Sequence, residues 1–358
     1  MPTVAIAGGT SLSLGRAIVT AVLHARSSTP WTVVILSRTS RIPLWLRAVD
    51  PEGRLTTIRV VDYMSVDSVV PALEGVDTLI SVVSAVDGTQ AQIQINLLHA
   101  AIKGGCRRFA PSGWGFGPKS YESGLLKYIS GGVWDECLKN QDKIECGRFN
   151  NGMFMNYLGL GIFPPEAHPD EESRLQEFKK GGGYADGADS AVQGLHPDGD
   201  LEDKSGAFLI SLASAIAELP VRDDGQWPRF SATSIRDVGR FVAASLELPK
   251  WESDMSMAGD TMTMGELLDI AEAVTGKIFD VKKVTSKDLK KQSAELQPEQ
   301  FIEQLWVELK LMYCQDAEGV AALDPVVNRL CPEVHPVSIR EYVENHWLRY
   351  ETALKHSQ

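Results

Sequence analysis

The feature that most constrains the fold is a glycine-rich turn near the N-terminus. Residues 3–7 form a short apolar run, and residues 7–16 read Ala-Gly-Gly-Thr-Ser-Leu-Ser-Leu-Gly-Arg. Residues 15–26 then place apolar side chains at helical spacing. In a strand–turn–helix unit of this kind, glycines let the backbone approach a pyrophosphate, and the helix N-terminus holds the anion. The turn departs from GxGxxG, but its position after a first strand still predicts a dinucleotide site.

Strand-like and helical segments alternate along the next hundred residues. We predict strands at 31–37, 56–62, 78–83 and 107–112, and helices at 65–73 and 90–103. The strands are apolar with little period-2 pattern, which is typical of a parallel sheet covered on both faces. The predicted fold is therefore α/β, a Rossmann-type doubly wound parallel sheet with a smaller C-terminal α/β substrate domain.

The regular alternation of predicted strands and helices ends beyond residue 158, which suggests two domains. We assign 1–157 to the Rossmann domain and 158–358 to a substrate-binding domain. Residues 179–206 are rich in Gly and Asp and are predicted to form a long loop, either a lid or a disordered insertion. Three later segments are predicted to be helical, the last of them with Thr263 as its N-cap: 207–219, 234–247 and 265–274.

Composition excludes several kinds of partner. The formal net charge is −12, whereas nucleic-acid binding needs a basic face, and an acidic surface also disfavours anionic lipid. No window holds the roughly 20 apolar residues of a membrane span, and the N-terminus lacks a signal-peptide pattern. The five cysteines have neither CxxC nor zinc-ligand spacing, so we expect no metal site. A cytoplasmic protein is the expectation.

The end of the second strand favours NADP(H) over NAD. Residues 37–41 read Ser-Arg-Thr-Ser-Arg, with no acid to bind a ribose 2′-hydroxyl. An arginine suits a 2′-phosphate, and Arg38 is the better placed of the two. Asp62 closes the third strand, where the adenine would lie, and Ser84 follows the fourth strand. The expected cofactor-binding residues are thus Gly8, Gly9, Thr10, Ser11, Leu14, Gly15, Arg38, Asp62 and Ser84.

The chain resembles the NmrA-like family of atypical short-chain dehydrogenases, and within it the fungal isoflavone-reductase-like branch. The resemblance rests on residues 7–16 and on the segments 37–38, 75–81, 108–112, 152–157, 235–244 and 259–263. It implies a Rossmann domain, a smaller substrate domain and NADPH as cofactor, with Ser112 beside it. Many relatives reduce aromatic or phenolic natural products, whereas others only sense the dinucleotide and regulate protein partners.

Two departures from the family pattern concern catalysis. The segment after the fifth strand reads Pro111-Ser-Gly-Trp-Gly115 and lacks the usual glutamate. The family's catalytic lysine is also absent, because its expected position holds Ser130 or Gly131. A lysine there serves as general acid or base towards the substrate oxygen. The remaining candidates for that role are Tyr128, Ser130 and Lys127.

An aromatic substrate is expected from the side chains near the presumed nicotinamide site. Family analogy places residues 150–157 there, so Met153, Phe154 and Tyr157 would form an apolar wall with Trp114. Plain core packing is the alternative for each of the four.

Three functions remain open. The first is an NADPH-dependent reductase of a small aromatic or heterocyclic natural product, such as an iminium-containing alkaloid precursor in secondary metabolism. The second is a redox-neutral cyclase or isomerase, for example of the Pictet–Spengler type. The third is a non-catalytic NADP(H) sensor that binds a protein partner. A monomer or a homodimer would serve any of them.

Overall fold

The computed structural model describes residues 1–25, 30–122, 124–165, 170–192, 198–297 and 299–356. Its strands are Thr3–Ala7 (β1), Thr32–Ser37 (β2), Thr56–Val60 (β3), Thr78–Ser81 (β4), Arg108–Ala110 (β5), Glu145–Cys146 (β6), Arg148–Asn150 (β7), Met153–Phe154 (β8), Ile210–Ser211 (β9), Ile216–Pro220 (β10), Arg229–Thr233 (β11), Asp254–Ser256 (β12), Asp260–Thr263 (β13) and Asp280–Val284 (β14).

Its α-helices are Leu14–His24 (α1), Leu44–Val49 (α2), Val66–Val69 (α3), Gln90–Lys103 (α4), Gly124–Ser130 (α5), Val133–Lys139 (α6), Asn156–Gly159 (α7), Glu171–Lys180 (α8), Ile235–Ser245 (α9), Met264–Thr275 (α10), Ser286–Glu295 (α11), Phe301–Gln315 (α12), Val326–Leu330 (α13) and Ile339–His356 (α14). None of the helices in the described ranges is long and apolar enough to cross a membrane.

The central sheet confirms the predicted fold class. Its six parallel strands run in the order β3-β2-β1-β4-β5-β6, so the chain reverses direction across the sheet between β1 and β4. Strands β1 and β4 are buried on both faces, which explains why neither shows the alternating polar pattern of a half-exposed strand. In such sheets a ligand binds outside the carboxyl ends of the strands, at the point where the order reverses.

The segment predicted as a helix at 207–219 forms two strands instead. Strand β10 pairs in parallel with β14 and antiparallel with β9. The alanine- and leucine-rich sequence of 207–219 has high helix propensity, but pairing with neighbouring strands overrides that preference. Leu209 and Ala215 adopt positive φ angles of 70° and 54°, which interrupt any continuous helix. The other two predictions are confirmed by α9 and α10, and Thr263 caps α10 in a capping box.

Elements from the two halves of the chain interlock. Strand β7 pairs with β12 and β8 pairs with β11, while α9 packs along α1. A Cβ atom on Gly239 would lie 2.3 Å from the carbonyl oxygen of Ala17, so only glycine permits this approach of the two helices. The domain boundary between residues 157 and 158 stays a prediction.

The described part of 179–206 is irregular, as predicted, but it is anchored. After α8 ends at Lys180, it holds one short 3₁₀ turn, Ala188–Ser190, and residues 193–197 lie outside the described ranges. The ring of Tyr184 lies against the guanidinium groups of Arg16 and Arg236, at 4.6 and 3.9 Å. These contacts place 181–190 on the outer face of α1 and α9.

A buried lysine ties the segment after residue 197 to the core. Lys310 of α12 is 3% exposed and contacts the carboxylates of both Asp200 and Glu218. The ammonium group of Lys310 stabilises the charged form of both carboxylates, because an ionised carboxylate that is partly buried without a cationic partner lowers stability. The exposed Lys282 also contacts Glu218 but is largely hydrated.

We predict that Lys310→Met lowers the free energy of unfolding by about 3–5 kcal/mol, since it leaves the poorly hydrated Asp200 carboxylate without its lysine partner and Glu218 with Lys282 alone. Urea denaturation followed by circular dichroism measures the change. The control Lys282→Met removes a surface ion pair of the same Glu218 and should cost about 1 kcal/mol or less. Equal destabilisation by the two variants would contradict the assignment of the buried pair.

Candidate functional site

The glycine-rich turn lies between β1 and α1 and is packed too closely for side chains. A Cβ atom on Gly15 would lie 2.7 Å from both the carbonyl oxygen of Gly8 and the hydroxyl oxygen of Ser11. Gly8 has a φ of 79°, which other L-residues rarely adopt. Ser11 stabilises the turn further, because its hydroxyl accepts a hydrogen bond from the Gly15 N–H at 2.9 Å.

The turn leaves backbone donors available at the helix N-terminus. Within the described ranges, the N–H groups of Thr10, Leu12 and Leu14 donate to no protein acceptor. They add to the positive end of the α1 dipole, and together they can hold a phosphate. This arrangement is what a pyrophosphate needs, so the residues present fit a dinucleotide.

Tyr63, in the loop after β3, supports the turn, a role that sequence reasoning missed. Its hydroxyl accepts from the Gly8 N–H at 3.0 Å and donates to the Leu36 carbonyl at 2.6 Å. Burial raises the pKa of Tyr63 to about 12, so the phenol stays neutral at physiological pH. The neighbouring Arg38, exposed after β2, is close enough to influence that pKa. Asp62 is exposed beside it and binds its own loop through the Met64 N–H.

A cleft of about 610 Å³ opens at the carboxyl ends of β4 and β5. It brings together seven residues that the sequence singled out: Leu14, Ser84, Ser112, Trp114, Lys127, Ser130 and Phe154. Its floor is fixed by Gln94 of α4, which accepts from the Ser112 N–H at 3.0 Å, and by Gln90, which donates to the Val83 carbonyl at 3.1 Å. The strand ends therefore form one rigid surface.

Part of the cleft wall is aromatic. Trp114 donates to the Ser81 carbonyl at 2.9 Å and stacks on Phe149, with the ring centroids 5.5 Å apart. Phe154 and Trp134 also line the cleft. The other two wall residues expected from the sequence lie elsewhere. Met153 and Tyr157 are buried core residues outside the cleft lining, and Tyr157 packs edge-on against Phe208 and Trp306.

The three catalytic candidates on α5 are placed differently. Lys127 and Ser130 line the cleft, but the Ser130 hydroxyl donates to the Lys127 carbonyl at 2.9 Å. Tyr128 is 81% exposed and is absent from the lining, because its position on α5 turns it to solvent. Gly131 and Gly132 then adopt positive φ angles and separate α5 from α6. A lysine at 131 would be strained there.

Two further residues of the cleft were missed by the sequence analysis. Tyr121 donates to the Gly113 carbonyl at 3.0 Å, and burial raises its pKa to about 12. Arg148 projects from β7 and forms an ion pair with Asp254. The available signal was an arginine directly before Phe149 and the segment 150–157, which the sequence analysis had placed near the nicotinamide. The described lining residues all come from positions 14–154, so the described part of 179–206 contributes no side chain to the cleft.

The chain is similar to two fungal oxidoreductases. It is 28% identical to the oxidoreductase BOA1 of Botryotinia fuckeliana over 286 residues, which is 77% of each chain. It is 36% identical to the oxidoreductase swnN of Metarhizium robertsii over 115 residues, or 31% of this chain and 30% of the other. No protein-family model matches the sequence.

Solved structures give a broader comparison. Leucoanthocyanidin reductase of Vitis vinifera, bound to NADPH, superposes with a TM-score of 0.64 at 15% identity, over 97% of this chain and 99% of the other. A structure from the study of pinoresinol-lariciresinol and phenylcoumaran benzylic ether reductases gives 0.65 at 18% identity, over 97% and 100%. The chain has the fold of the isoflavone-reductase-like reductases. The resemblance drawn from its motifs is thereby confirmed in the fold.

We predict that Gly15→Ala disrupts the turn, because the added Cβ would lie 2.7 Å from the Gly8 carbonyl oxygen and 2.9 Å from the Gly9 carbonyl carbon. NADPH affinity, measured by fluorescence titration, should fall at least tenfold, and the melting temperature should drop. Gly113→Ala is the steric control, since its Cβ would meet nothing closer than the Tyr121 hydroxyl at 3.9 Å. A Gly15→Ala protein that binds NADPH normally would contradict the expectation that the turn holds the pyrophosphate.

Proposed function

We propose that this protein is an NADP(H)-dependent reductase of a small aromatic or heterocyclic molecule. The observation that carries the proposal is the position of the aromatic cleft. It lies at the carboxyl ends of β4 and β5, and its lining includes Leu14, the first residue of α1, which follows the glycine-rich turn. A substrate in this cleft would adjoin a dinucleotide bound along the strand ends. The fungal oxidoreductases and the NADPH-bound reductase structure support the same conclusion.

The chain offers a specific residue for each part of NADP(H). The N–H groups of the turn from Gly8 to Gly15 would hold the pyrophosphate, and Arg38 would bind the 2′-phosphate. Ser84 and Ser112 lie at the strand ends on the path towards the cleft. When bound, NADPH supplies a hydride to the substrate. The neutral Tyr63 hydroxyl keeps the turn in place without adding a negative charge near the phosphates.

Among the described lining residues, Lys127 is the one amine that can donate a proton. Ser130 is engaged with the backbone, and Tyr121 with Gly113. Trp114 and Phe154 would hold a flat ring and exclude water from the reacting face. A substrate such as an iminium ion would need no proton on an oxygen, which suits a cleft without the family's usual lysine.

Redox-neutral catalysis is the second candidate function. It is favoured by one observation: the position expected for the usual lysine holds either Ser130, whose hydroxyl donates to the backbone, or Gly131, which adopts a positive φ angle. In that case the dinucleotide would shape the cleft, and the charged residues at its rim would promote ring closure.

Isotopic labelling tests the proposal. The protein is incubated with a metabolite extract of its source and NADPH deuterated at the transferred position, and products are followed by mass spectrometry. We expect a product one mass unit heavier than with unlabelled NADPH, while the opposite deuterated face serves as control. A new product without deuterium from either face would establish redox-neutral catalysis instead. Bound NADPH with every metabolite unchanged would favour a sensor.

We also predict that Arg38→Gln weakens NADPH binding about tenfold or more, because the variant loses the contact with the 2′-phosphate. NADH has no 2′-phosphate, so its binding should be nearly unchanged. Fluorescence titration with both nucleotides measures the ratio. Arg41→Gln removes a nearby exposed arginine and should leave the preference intact. If Arg38→Gln keeps the full preference for NADPH, another residue binds the 2′-phosphate.

A further inference from the structure

One charged side chain of the cleft is held in position by the protein itself. Arg148 begins β7, and its register partner on β12 is Asp254. The Arg148 Nε donates to Asp254 Oδ1 at 2.9 Å, and Nη2 lies 2.7 Å from the same oxygen. The guanidinium also lies over the ring of Trp134, 4.3 Å from its centroid. Because the group is already ordered, little conformational entropy is lost when a ligand binds it.

The ion pair leaves part of the guanidinium available. Both contacts with Asp254 use Oδ1, whereas a guanidinium carries five N–H donors. Within the described residues, Nη1 of Arg148 has no acceptor. The side chain is 17% exposed, and the residue lines the cleft. A planar donor pair on a side chain that is itself largely buried is suited to a carboxylate.

The other charges of the cleft do not compete for this role. Glu122, Lys127 and Asp135 also line it, but all three are exposed, so water screens them. The chain as a whole carries a net charge of −12, which does not attract anions. An anionic ligand therefore depends on a local cation, and Arg148 is the least exposed one in the cleft.

We propose that Arg148 binds a carboxylate of the substrate, and that the substrate is an aromatic or heterocyclic carboxylic acid. This assignment rests on the proposed function, in which the cleft is the substrate site. Trp114 and Trp134 contact the ring system, while Arg148 fixes its acidic end and so determines which face of the ring lies towards the strand ends. Asp254 fixes the orientation of the guanidinium, and the substrate carboxylate would contact the side of the guanidinium that Asp254 leaves available.

The test compares two ligands of the same shape, indole-3-acetate and its neutral amide. Binding to the full-length protein is measured by calorimetry, with and without NADP⁺. We expect the acid to bind at least tenfold more tightly than the amide. In Arg148→Met the preference should disappear. In Arg148→Lys, which keeps the charge but loses the planar donor pair, it should be reduced.

Asp254→Asn is the matched variant that separates ligand binding from a structural role. It removes the ion pair but keeps the arginine, so the preference for the acid should persist or increase. If Arg148 only joined β7 to β12, the two variants would lose binding of acid and amide equally. Melting curves show which variants fold, and the wild-type comparison and Arg148→Lys decide the matter if Arg148→Met does not.

Equal binding of the two ligands, binding of neither, or a preference that survives in Arg148→Met would overturn the proposal. Because the measurement is an equilibrium one, its outcome does not depend on hydride transfer. A clear preference together with failed isotopic labelling would retain the carboxylate site and reject the reductase, and the reverse combination would do the opposite.

Discussion

The close packing of α1 is the constraint on which the rest of the structure depends. On its inner side, Gly15 lies against the backbone of the turn, where a Cβ would come within 2.7 Å of Gly8. On its outer side, Gly239 of α9 lies against Ala17, where a Cβ would come within 2.3 Å. Two glycines thus allow one helix to pack closely against both the glycine-rich turn and the later half of the chain. The close packing of the glycine-rich turn and that of the C-terminal elements both depend on these two glycines.

Residues from the later half of the chain hold the residues around the cleft in position. The Glu308 carboxylate of α12 accepts from the Leu125 N–H at 3.2 Å, and the Val320 carbonyl accepts from the Gly117 N–H at 2.7 Å. Asp254 holds Arg148. The described lining residues are contributed by positions 14–154, but their positions depend on these contacts. The chemistry of the cleft can therefore change through substitutions far away in the sequence.

The sequence was sufficient for the features that depend on local pattern. Helix α4 was predicted at its observed ends, because Gly104 and Gly105 terminate an amphipathic run. The helix expected at 207–219 was wrong, since the pairing of β10 with β14 joins residues more than 60 positions apart. Tyr128 and Lys127 are neighbours in sequence, yet only the three-dimensional path of α5 shows which of them lines the cleft. Arg148 became meaningful only once Asp254 was placed beside it.

The account's central claim is that one continuous site runs from the glycine-rich turn to the aromatic cleft. A crystal structure of the complex with NADP⁺ tests it most directly. The account predicts the pyrophosphate at the N–H groups of Thr10, Leu12 and Leu14, the 2′-phosphate at Arg38, and the nicotinamide ring at the cleft beside Trp114. A dinucleotide bound with its nicotinamide outside the cleft, or with no contact to the turn, would contradict it.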